Sequence, residues 1–384
     1  MNAAIRGWCP DLFAPMQSGD GLLVRLKPRL ARLSAAQGRL IAAQAARCGN
    51  GIIELTGRGN LQLRGLTASS AEIFARFAVE SGLAHPDPAV ERRRNILVSP
   101  LADDAACALA RVLEQAIADD PALAVLPGKF GFAVDGGGPI RLDENAADVV
   151  LRAEDRTWSV RLVSDSSVLH CRADQASGAA LALAHSWMAS GSTARPSHKK
   201  GGGNSAGNQA VGWLPSLAAY GIGLTFGQMD AATLDHLSVL SERHGDGFLH
   251  VTPWRTVILS GVAAAYATTL HEAVSESAAG LIVQPDDPRR SVSACIGRAG
   301  CASGTVDPRA DALALLGAGV RVGALHVSGC AKGCAHPGPA EVTLVGADGR
   351  YGLVRAGRAG DTALADGLTL CQIARRLGGS ADGS

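Results

Sequence analysis

The stretch GIIELTGRGNLQLRGL (Gly51–Leu66) has a counterpart, GFLHVTPWRTVILSGV (Gly247–Val262), which aligns with it without a gap at an offset of 196 residues. The register extends back to Leu33 opposite Met229, which gives 34 paired positions, and eight of them are identical. Self-similarity of this length at one fixed offset indicates a duplicated architecture. We therefore predict a chain built from two related halves.

Each half contains the same order of local patterns. A short apolar strand (21–26 in one half, 221–226 in the other) precedes a helical segment whose N-cap candidate is Ser34 or Asp230. A glycine-rich turn, two β-rich runs and a second α/β segment follow in both halves. The pattern predicts an α+β fold with two pseudo-twofold-related halves.

The repeat also sets the predicted domain boundaries. Residues 190–212 are rich in Gly, Ser and Asn, which is typical of a flexible linker. The four predicted domains are a first half-domain at 1–85, its α/β domain at 86–189, a second half-domain at 213–285 and its α/β domain at 286–384.

Composition excludes several classes of protein. The net charge of +1 gives no overall attraction to nucleic acid or acidic membranes, and aromatic residues make up only 4% of the chain. No run of eighteen apolar residues and no apolar signal core occurs, so we expect a cytoplasmic protein with neither a nucleic-acid nor a membrane partner. A hydrophobic content of 47% predicts a large globular core.

Four of the nine cysteines stand in two close pairs. Cys295 and Cys301 form a C-x5-C pair, and after 28 intervening residues Cys330 and Cys334 form a C-x3-C pair. An odd number of cysteines in an unexported chain indicates metal ligands or free thiols rather than disulfides. The remaining cysteines are scattered singly, at Cys9, Cys48, Cys107, Cys171 and Cys371.

Thiolates favour zinc, copper(I) or iron–sulfur clusters. Structural zinc usually takes two shorter C-x2-4-C knuckles, whereas a [4Fe–4S] cluster takes four thiolates on glycine-rich loops. The paired cysteines are flanked by such glycines, and the spacing therefore favours a [4Fe–4S] cluster over zinc or over four buried, unliganded cysteines. The flanking glycines are Gly297, Gly300, Gly304, Gly329 and Gly333.

The duplication shows that only one half carries these thiols. At the offset of 196 Cys295 lies opposite Ser99, and at an offset of 193 Cys330 lies opposite Gly137. We therefore predict that the second half holds the cluster and that the first half keeps the same fold without it.

The C-x5-C…C-x3-C formula, placed after a duplicated T-x-R-x-x-x-Q-x-R-G element, resembles the nitrite and sulfite reductases that pair a [4Fe–4S] cluster with sirohaem. The resemblance covers residues 10–362 and implies the nitrite/sulfite reductase fold, with a ferredoxin-like segment and an α/β segment in each half. Within this superfamily TGRGNLQLRG, RRRNILVSPLA, LPGKFGFAVDGG, GCAKGCAHPGPAEV and YGLVRAGRAGD are most similar to the precorrin-3B synthase family.

This resemblance implies a polycarboxylate tetrapyrrole, precorrin-3A, as the substrate, which fixed cations would hold through its carboxylates. Arg58 matches the family's arginine after the threonine, Arg94 the R-N-apolar motif, and Lys129 the first basic position of L-P-x-K-F-x. The reductases carry a second lysine where this chain has Gly131. The predicted substrate-binding residues are Arg58, Arg64, Arg94, Lys129, Asn60 and Gln62.

The resemblance further implies an oxygen-dependent hydroxylation of precorrin-3A at C20 with γ-lactone formation, in aerobic cobalamin biosynthesis. It implies a mononuclear non-haem iron in addition to the cluster, and electrons from an NADH-dependent reductase or a ferredoxin. No histidine triad is recognisable, so the iron ligands and catalytic residues are unassigned. The alternatives are a small sirohaem-dependent sulfite or nitrite reductase and a plain electron carrier.

Overall fold

The computed structural model describes residues 10–165, 167–191, 210–277 and 280–379, so most of the predicted linker, residues 192–209, lies outside the described residues. The described chain divides into two compact units. Of the described residues, the first unit comprises those within 10–16, 22–223 and 227–285, and the second comprises those within 17–21, 224–226 and 286–379. Within these ranges, no helix is both long enough and apolar enough for a membrane span.

The first half begins with five short strands and two helices. Ser34 caps the first helix by accepting from the Gln37 amide, and the Gln37 side chain in turn accepts from the Ser34 amide. The strands are β1 (Met16–Ser18), β2 (Gly21–Leu26), β3 (Arg32–Ser34), β4 (Ile52–Leu55) and β5 (Leu61–Leu66), and the helices are α1 (Ala35–Cys48) and α2 (Ala68–Glu80).

Strands β4 and β5 alternate between apolar and polar side chains, so each has one apolar face. Ile53, Leu55, Leu61 and Leu63 are almost fully buried on that face. Glu54, Gln62 and Arg64 lie on the opposite face. This polar face is the part of the first half that carries predicted site residues.

An α/β segment follows within the same unit. Strands β6, β7 and β8 are parallel, β9 and β10 are antiparallel additions, and the sheet order is β10-β9-β8-β7-β6. The elements are α3 (Pro88–Arg93), β6 (Ile96–Val98), α4 (Asp104–Asp119), β7 (Phe132–Asp135), β8 (Val149–Glu154), β9 (Thr157–Leu162), β10 (Val168–Cys171) and α5 (Ala173–Ala189).

The second half repeats the order of the first. Asp230 caps its first helix by accepting from the Thr233 amide. The strands are β11 (Gly212–Leu214), β12 (Ala219–Leu224), β13 (Gln228–Asp230), β14 (Phe248–Val251), β15 (Thr256–Leu259) and β16 (Leu281–Ile282), and the helices are α6 (Ala231–His244) and α7 (Ala267–Ser275).

The second unit contains the second α/β segment. Its sheet order is β17-β18-β19-β20-β21, with β17, β18 and β19 parallel and the other two strands antiparallel. The elements are β17 (Val292–Ala294), α8 (Pro308–Gly317), β18 (Leu325–Ser328), β19 (Ala340–Ala347), β20 (Arg350–Gly357), β21 (Ala365–Leu368) and α9 (Leu370–Arg376).

The two ferredoxin-like sheets exchange their edge strands. Strand β13 of the second half pairs with β4 of the first, and Gln228 stands opposite Glu54. Strand β3 of the first half pairs with β14 of the second, and Arg32 stands opposite His250. The two sheet orders are β1-β2-β5-β4-β13 and β11-β12-β15-β14-β3, so each half completes the sheet of the other.

The predicted duplication is confirmed residue by residue. Strand β3, helix α1 and strand β4 lie at an offset of 196 from β13, α6 and β14, and β7 lies at an offset of 193 from β18. Backbone conformations repeat as well, because Leu30 and Phe226 adopt positive φ angles of 55° and 56°. The fold is the predicted α+β duplication with related halves.

Helices α1 and α6 make a close contact that permits no side chain at Gly38. A Cβ at this position would overlap Ser238 Oγ and would lie 3.3 Å from Ser238 Cβ. The Ser238 hydroxyl donates to the Leu234 carbonyl at 2.7 Å, so it cannot rotate away without losing a buried hydrogen bond.

We predict that Gly38→Ala lowers the free energy of unfolding by up to about 2 kcal/mol, because overpacking of about 1–3 kcal/mol outweighs the helix-propensity gain of about 1 kcal/mol. Urea denaturation followed by circular dichroism measures this. The double variant Gly38→Ala/Ser238→Ala should recover most of the loss, because the overlapped oxygen is gone. A Gly38→Ala protein more stable than wild type would contradict this helix contact.

Candidate functional site

The carboxyl ends of two parallel strands place the first and third cysteines together. Cys295 follows β17, Cys330 lies two residues after β18, and the Cys295 amide donates to the Val327 carbonyl at 3.4 Å. The Gly329 amide donates to Cys295 Sγ at 3.1 Å. An amide aimed at this sulfur would stabilise a thiolate, since charge-assisted hydrogen bonds are the strong ones.

A short helical turn at Gly297–Ala299 connects Cys295 to Cys301, and the Gly304 amide closes the loop by donating to the Cys301 carbonyl at 2.9 Å. A Cβ on Gly304 would lie 2.5 Å from the Gly297 carbonyl carbon. The backbone is therefore packed too tightly here for any other residue, as a glycine-lined cradle requires.

Cys334 completes a group of four thiols. Partial burial raises its pKa, and the neighbouring sulfurs of Cys330, Cys295 and Cys301 raise it further, while Lys332 lowers it. Because these electrostatic effects act over a short range, the fourth thiol shares one neighbourhood with the other three. Its side chain nevertheless remains exposed to solvent.

Polar contacts join the two cysteine loops to each other and to a distant segment of the same unit. Lys332 Nζ donates to Ser303 Oγ at 3.0 Å. Ser18 Oγ and the Gly19 amide both donate to the Gly300 carbonyl, at 2.7 and 2.9 Å. The short segment 17–21 thus fixes the loop between Cys295 and Cys301, a contact that no local motif indicated.

These residues fit a [4Fe–4S] cluster in donor chemistry and loop geometry. In the described ranges, no group of three or more His, Cys, Asp or Glu side chains is arranged to hold a metal ion. Four thiolates around one ion converge at about 2.3 Å from it. Thiolates of a cluster bind separate iron atoms, and four cysteines on two glycine-rich loops are the kind of ligands that such a cluster uses.

The first half reproduces the hydrogen bond of the cysteine loop without the thiol. Ser99 lies opposite Cys295 in the repeat, and its Oγ accepts from the Gly136 amide at 3.2 Å. Gly136 lies opposite Gly329 at the offset of 193. The same amide contact therefore exists in both halves, and only the second half offers it a sulfur.

Two predicted substrate residues, Arg58 and Lys129, lie in contact. Arg58 Nη1 donates to the Lys129 carbonyl at 2.7 Å, and both side chains are half-buried. The Arg58 loop is closed by Thr56 Oγ1, which accepts from the amides of Arg58 and Asn60 at 3.3 and 3.1 Å. This turn holds Arg58 beside the buried Asn60.

Gln62 and Arg64 share one carboxylate on the polar face of the first sheet. Gln62 Nε2 and Arg64 Nη1 lie 3.4 and 3.3 Å from Glu54 Oε2. Arg25 Nη2 donates to Gln62 Oε1 at 2.6 Å. A separate cavity of about 380 Å³ in the first unit is lined by none of the six predicted substrate residues.

Arg94 lies in a buried ion pair. Its guanidinium bonds both oxygens of Glu91, at 2.8 and 3.0 Å, and also donates to the Lys27 carbonyl at 2.9 Å. The Arg94 and Glu91 side chains are only 4% and 1% exposed. Burial lowers the pKa of the neighbouring Lys27 to about 8, against the opposing effect of Glu91.

Among the described residues, no ligand set for a mononuclear iron is formed. Burial lowers the pKa of His250 to about 4, and His250 shares a hydrogen bond of 3.0 Å with Ser260. Burial and the nearby His336 lower the pKa of His326 to about 4, and the two ring centroids lie 5.7 Å apart. No third ligand among the described residues joins either histidine.

Comparison with known proteins agrees with this arrangement. The nitrite/sulfite reductase ferredoxin-like half domain matches residues 14–78 and 216–277, one match in each half. A precorrin-3B synthase from Sinorhizobium sp. is 32% identical over 339 residues, which cover 79% of this chain and 72% of the relative. The chain belongs to the precorrin-3B synthase family.

The solved structure of the Mycobacterium tuberculosis NirA protein has the same fold. It superposes with a TM-score of 0.65 over 90% of this chain and 76% of its own, at 17% identity. Together with the two half-domain matches and the precorrin-3B synthase relative, this confirms the predicted membership of the nitrite/sulfite reductase superfamily. As a member of the precorrin-3B synthase family the protein is an oxidoreductase of cobalamin biosynthesis.

Sequence reasoning missed several polar partners of the predicted residues. Glu91 stands three positions before Arg94, and this helical spacing can be read from the sequence. The burial of the ion pair cannot be read from the sequence. Arg25 interrupts an apolar strand, which is itself a signal for a buried polar contact. Gln228 comes from the other half and could be placed beside Glu54 only after the strand exchange was known.

For this family member we predict that Arg94→Ala lowers the free energy of unfolding by about 3–5 kcal/mol, because Glu91 is left as a buried, unpaired charge. Urea denaturation provides the measurement. The apolar pair Glu91→Leu/Arg94→Met should be much less destabilised, since no charge is buried in it. If the Arg94→Ala protein were as stable as wild type, a structural role for Arg94 would be contradicted, and only its predicted contact with the substrate would remain.

Proposed function

We propose that the protein is a precorrin-3B synthase. It hydroxylates precorrin-3A at C20 and closes a γ-lactone from the ring A acetate onto C1. One atom of dioxygen becomes the hydroxyl group, the acetate oxygen bonds to C1, and the other oxygen atom leaves as water after taking up two electrons and two protons. The observation that carries this proposal is the asymmetry of the two halves: four thiols lie together in the second, whereas the first has the Arg58–Lys129 contact and the Gln62–Arg64 pair on Glu54.

We assign the four thiols of the second unit, Cys295, Cys301, Cys330 and Cys334, to a [4Fe–4S] cluster. When bound, such a cluster supplies a path for single electrons, which an external NADH-dependent reductase or ferredoxin provides. The protein contributes the Gly329 amide, which donates to Cys295 Sγ and would stabilise its negative charge. The family also implies a mononuclear iron, but no described residues fit one, so no step is derived through it.

Arg58, Lys129 and Arg64 are proposed to hold carboxylate arms of the macrocycle. A guanidinium binds a carboxylate through two parallel hydrogen bonds and so fixes orientation as well as position. Asn60 and Gln62 would add amide hydrogen bonds. Held in this way, the ring A acetate would lie close to C1 when C20 is oxidised, which favours lactone formation over loss of the intermediate to water.

Arg94 remains a predicted substrate residue with a second role. The pairing with Glu91 uses its guanidinium inside the fold. A direct contact with substrate would require this buried pair to open or to share a donor. We therefore place Arg58 and Arg64 ahead of Arg94 in the proposed binding site.

The alternative function, a sirohaem-dependent sulfite or nitrite reductase, has less support. The reductase pattern has a lysine at the position of Gly131. Here a Cβ would lie 3.2 Å from the Asn95 carbonyl, and the Gly131 amide donates to the buried Asp148 at 2.9 Å. A long cation at this position would have to displace that packing, so the cation set of the reductases is not reproduced.

Isotopically labelled dioxygen tests the reaction. The reconstituted protein, an NADH-dependent reductase and precorrin-3A should give a product that carries one labelled oxygen atom in its hydroxyl group and none in the lactone. Mass spectrometry of the product and of its fragments locates the label. Label from water instead of dioxygen, or turnover of sulfite by a sirohaem-containing protein, would overturn the proposal.

Replacing the thiols tests the cluster assignment. Cys295→Ala, Cys301→Ala, Cys330→Ala and Cys334→Ala should each lose the iron and acid-labile sulfide of the reconstituted protein, because each removes one ligand. Cys107→Ala and Cys171→Ala are matched controls outside this group and should retain both. Full iron and sulfide content in two or more of the first four variants would contradict the assignment.

A further inference from the structure

A continuous row of polar side chains crosses the first ferredoxin-like sheet. In register order its members come from β2, β5, β4 and β13 and are Arg25, Gln62, Glu54 and Gln228. Residues directly opposite each other in antiparallel strands lie on the same face. Three strand spacings of about 4.8 Å separate the two ends, so the row spans about 14 Å.

The two ends of this row carry buried polar atoms that no described residue satisfies. Arg25 Nε and Gln228 Oε1 are both buried and have no hydrogen-bond partner. The two residues in the middle of the row are paired with each other, Gln62 Nε2 with Glu54 Oε2. Buried polar atoms are nearly always hydrogen-bonded, and leaving one unpaired costs free energy. Two such atoms at the ends of one row indicate a partner other than the described residues.

The corresponding row of the second half lacks this character. There Arg32, His250, Ile258 and Gly221 occupy the matching positions. Isoleucine and glycine replace the glutamine and the arginine, and burial keeps His250 neutral by lowering its pKa to about 4. The duplicated scaffold does not by itself require a polar row, so the row is a feature of the first ferredoxin-like sheet and not of the second.

We propose that Arg25 and Gln228 bind the tetrapyrrole substrate directly, with Gln228 supplied by the second half through the exchanged strand. Arg25 donates from Nε to a carboxylate arm, and the Gln228 amide, which offers both a donor and an acceptor, meets a second polar group of the macrocycle. This inference rests on the proposed function, because it extends the same binding face beyond Gln62 and Arg64.

Binding of a stable tetrapyrrole polycarboxylate, uroporphyrin, to the full-length protein tests the inference. Quenching of the porphyrin fluorescence gives the dissociation constant, and thermal denaturation without ligand gives Tm. Arg25→Gln should weaken binding about 30-fold or more, as for the loss of one partner of a desolvated charge pair. Gln228→Met, which keeps the length of the side chain, should weaken binding about 3- to 10-fold, as for one lost hydrogen bond.

The Tm separates a binding role from a structural one. Because Gln228 Oε1 is unpaired without ligand, Gln228→Met should leave the Tm unchanged or raise it while affinity falls. A residue that only supports the fold would lower both. Arg156→Gln and Gln284→Leu change exposed side chains of the same unit and serve as matched controls, with affinities expected within about 2-fold of wild type.

The outcomes distinguish this inference from the proposed function. If the wild-type protein binds no uroporphyrin, the proposed function fails and the inference fails with it. If wild type binds, Arg58→Ala loses affinity, and both Arg25→Gln and Gln228→Met bind as tightly as wild type, the inference is overturned while the function stands. If Arg25→Gln is too unstable to test, Arg25→Lys should still bind more weakly than wild type, because an ammonium group cannot reproduce the Nε contact.

Discussion

The reciprocal exchange of β3 and β13 is the constraint on which the first unit depends. Neither ferredoxin-like sheet has its last strand without the other half, since β13 completes the sheet of β4 and β3 completes the sheet of β14. Each exchanged strand leads directly into a helix of its own half, and those helices meet at Gly38 and Ser238. The strand pairing thereby fixes, residue by residue, how the two halves align with each other. A substitution in one half can consequently change the chemistry of the other.

This fixed register allowed chemistry to diverge at matched positions while the geometry stayed the same. The amides of Gly136 and Gly329 make equivalent hydrogen bonds, one to a serine oxygen and the other to a cysteine sulfur. The serine hydroxyl is neutral and needs no further partner, whereas a thiolate gains from a metal. Likewise, the position of Glu54 in the first half is occupied by His250 in the second half. A duplicated scaffold can in this way carry an electron path in one copy and a substrate face in the other.

Local patterns predicted the elements well, because strand and helix periodicity and capping residues act over a few positions. The repeat offset placed α1 and α6 correctly, since Ser34 and Asp230 both cap. The pairing of β13 with β4 could not be predicted, because a strand's pattern encodes its faces and not its neighbour. The contact of Ser18 with Gly300 joins residues 282 positions apart and has no local signal.

The difference between local patterns and long-range contacts also explains which residues of the candidate site could be predicted from the sequence. Thiol spacing and cation motifs are local, so the cysteines and Arg58 could be named from the sequence. The burial of Arg94 against Glu91 depends on what packs around a short helix, which no spacing reveals.

The polar row of the first sheet illustrates how binding and stability are linked in such a fold. Polar groups on a buried face weaken the ligand-free protein wherever they lack partners, and a ligand that satisfies them stabilises the folded state it binds. Because the unpaired atoms of Arg25 and Gln228 lie on strands from different halves, one ligand that contacts both would also join β2 to the exchanged strand β13. Substrate binding would then reinforce the pairing on which the whole unit depends. A rigid polycarboxylate macrocycle can span such a row, whereas a small anion such as sulfite could satisfy only one end of it.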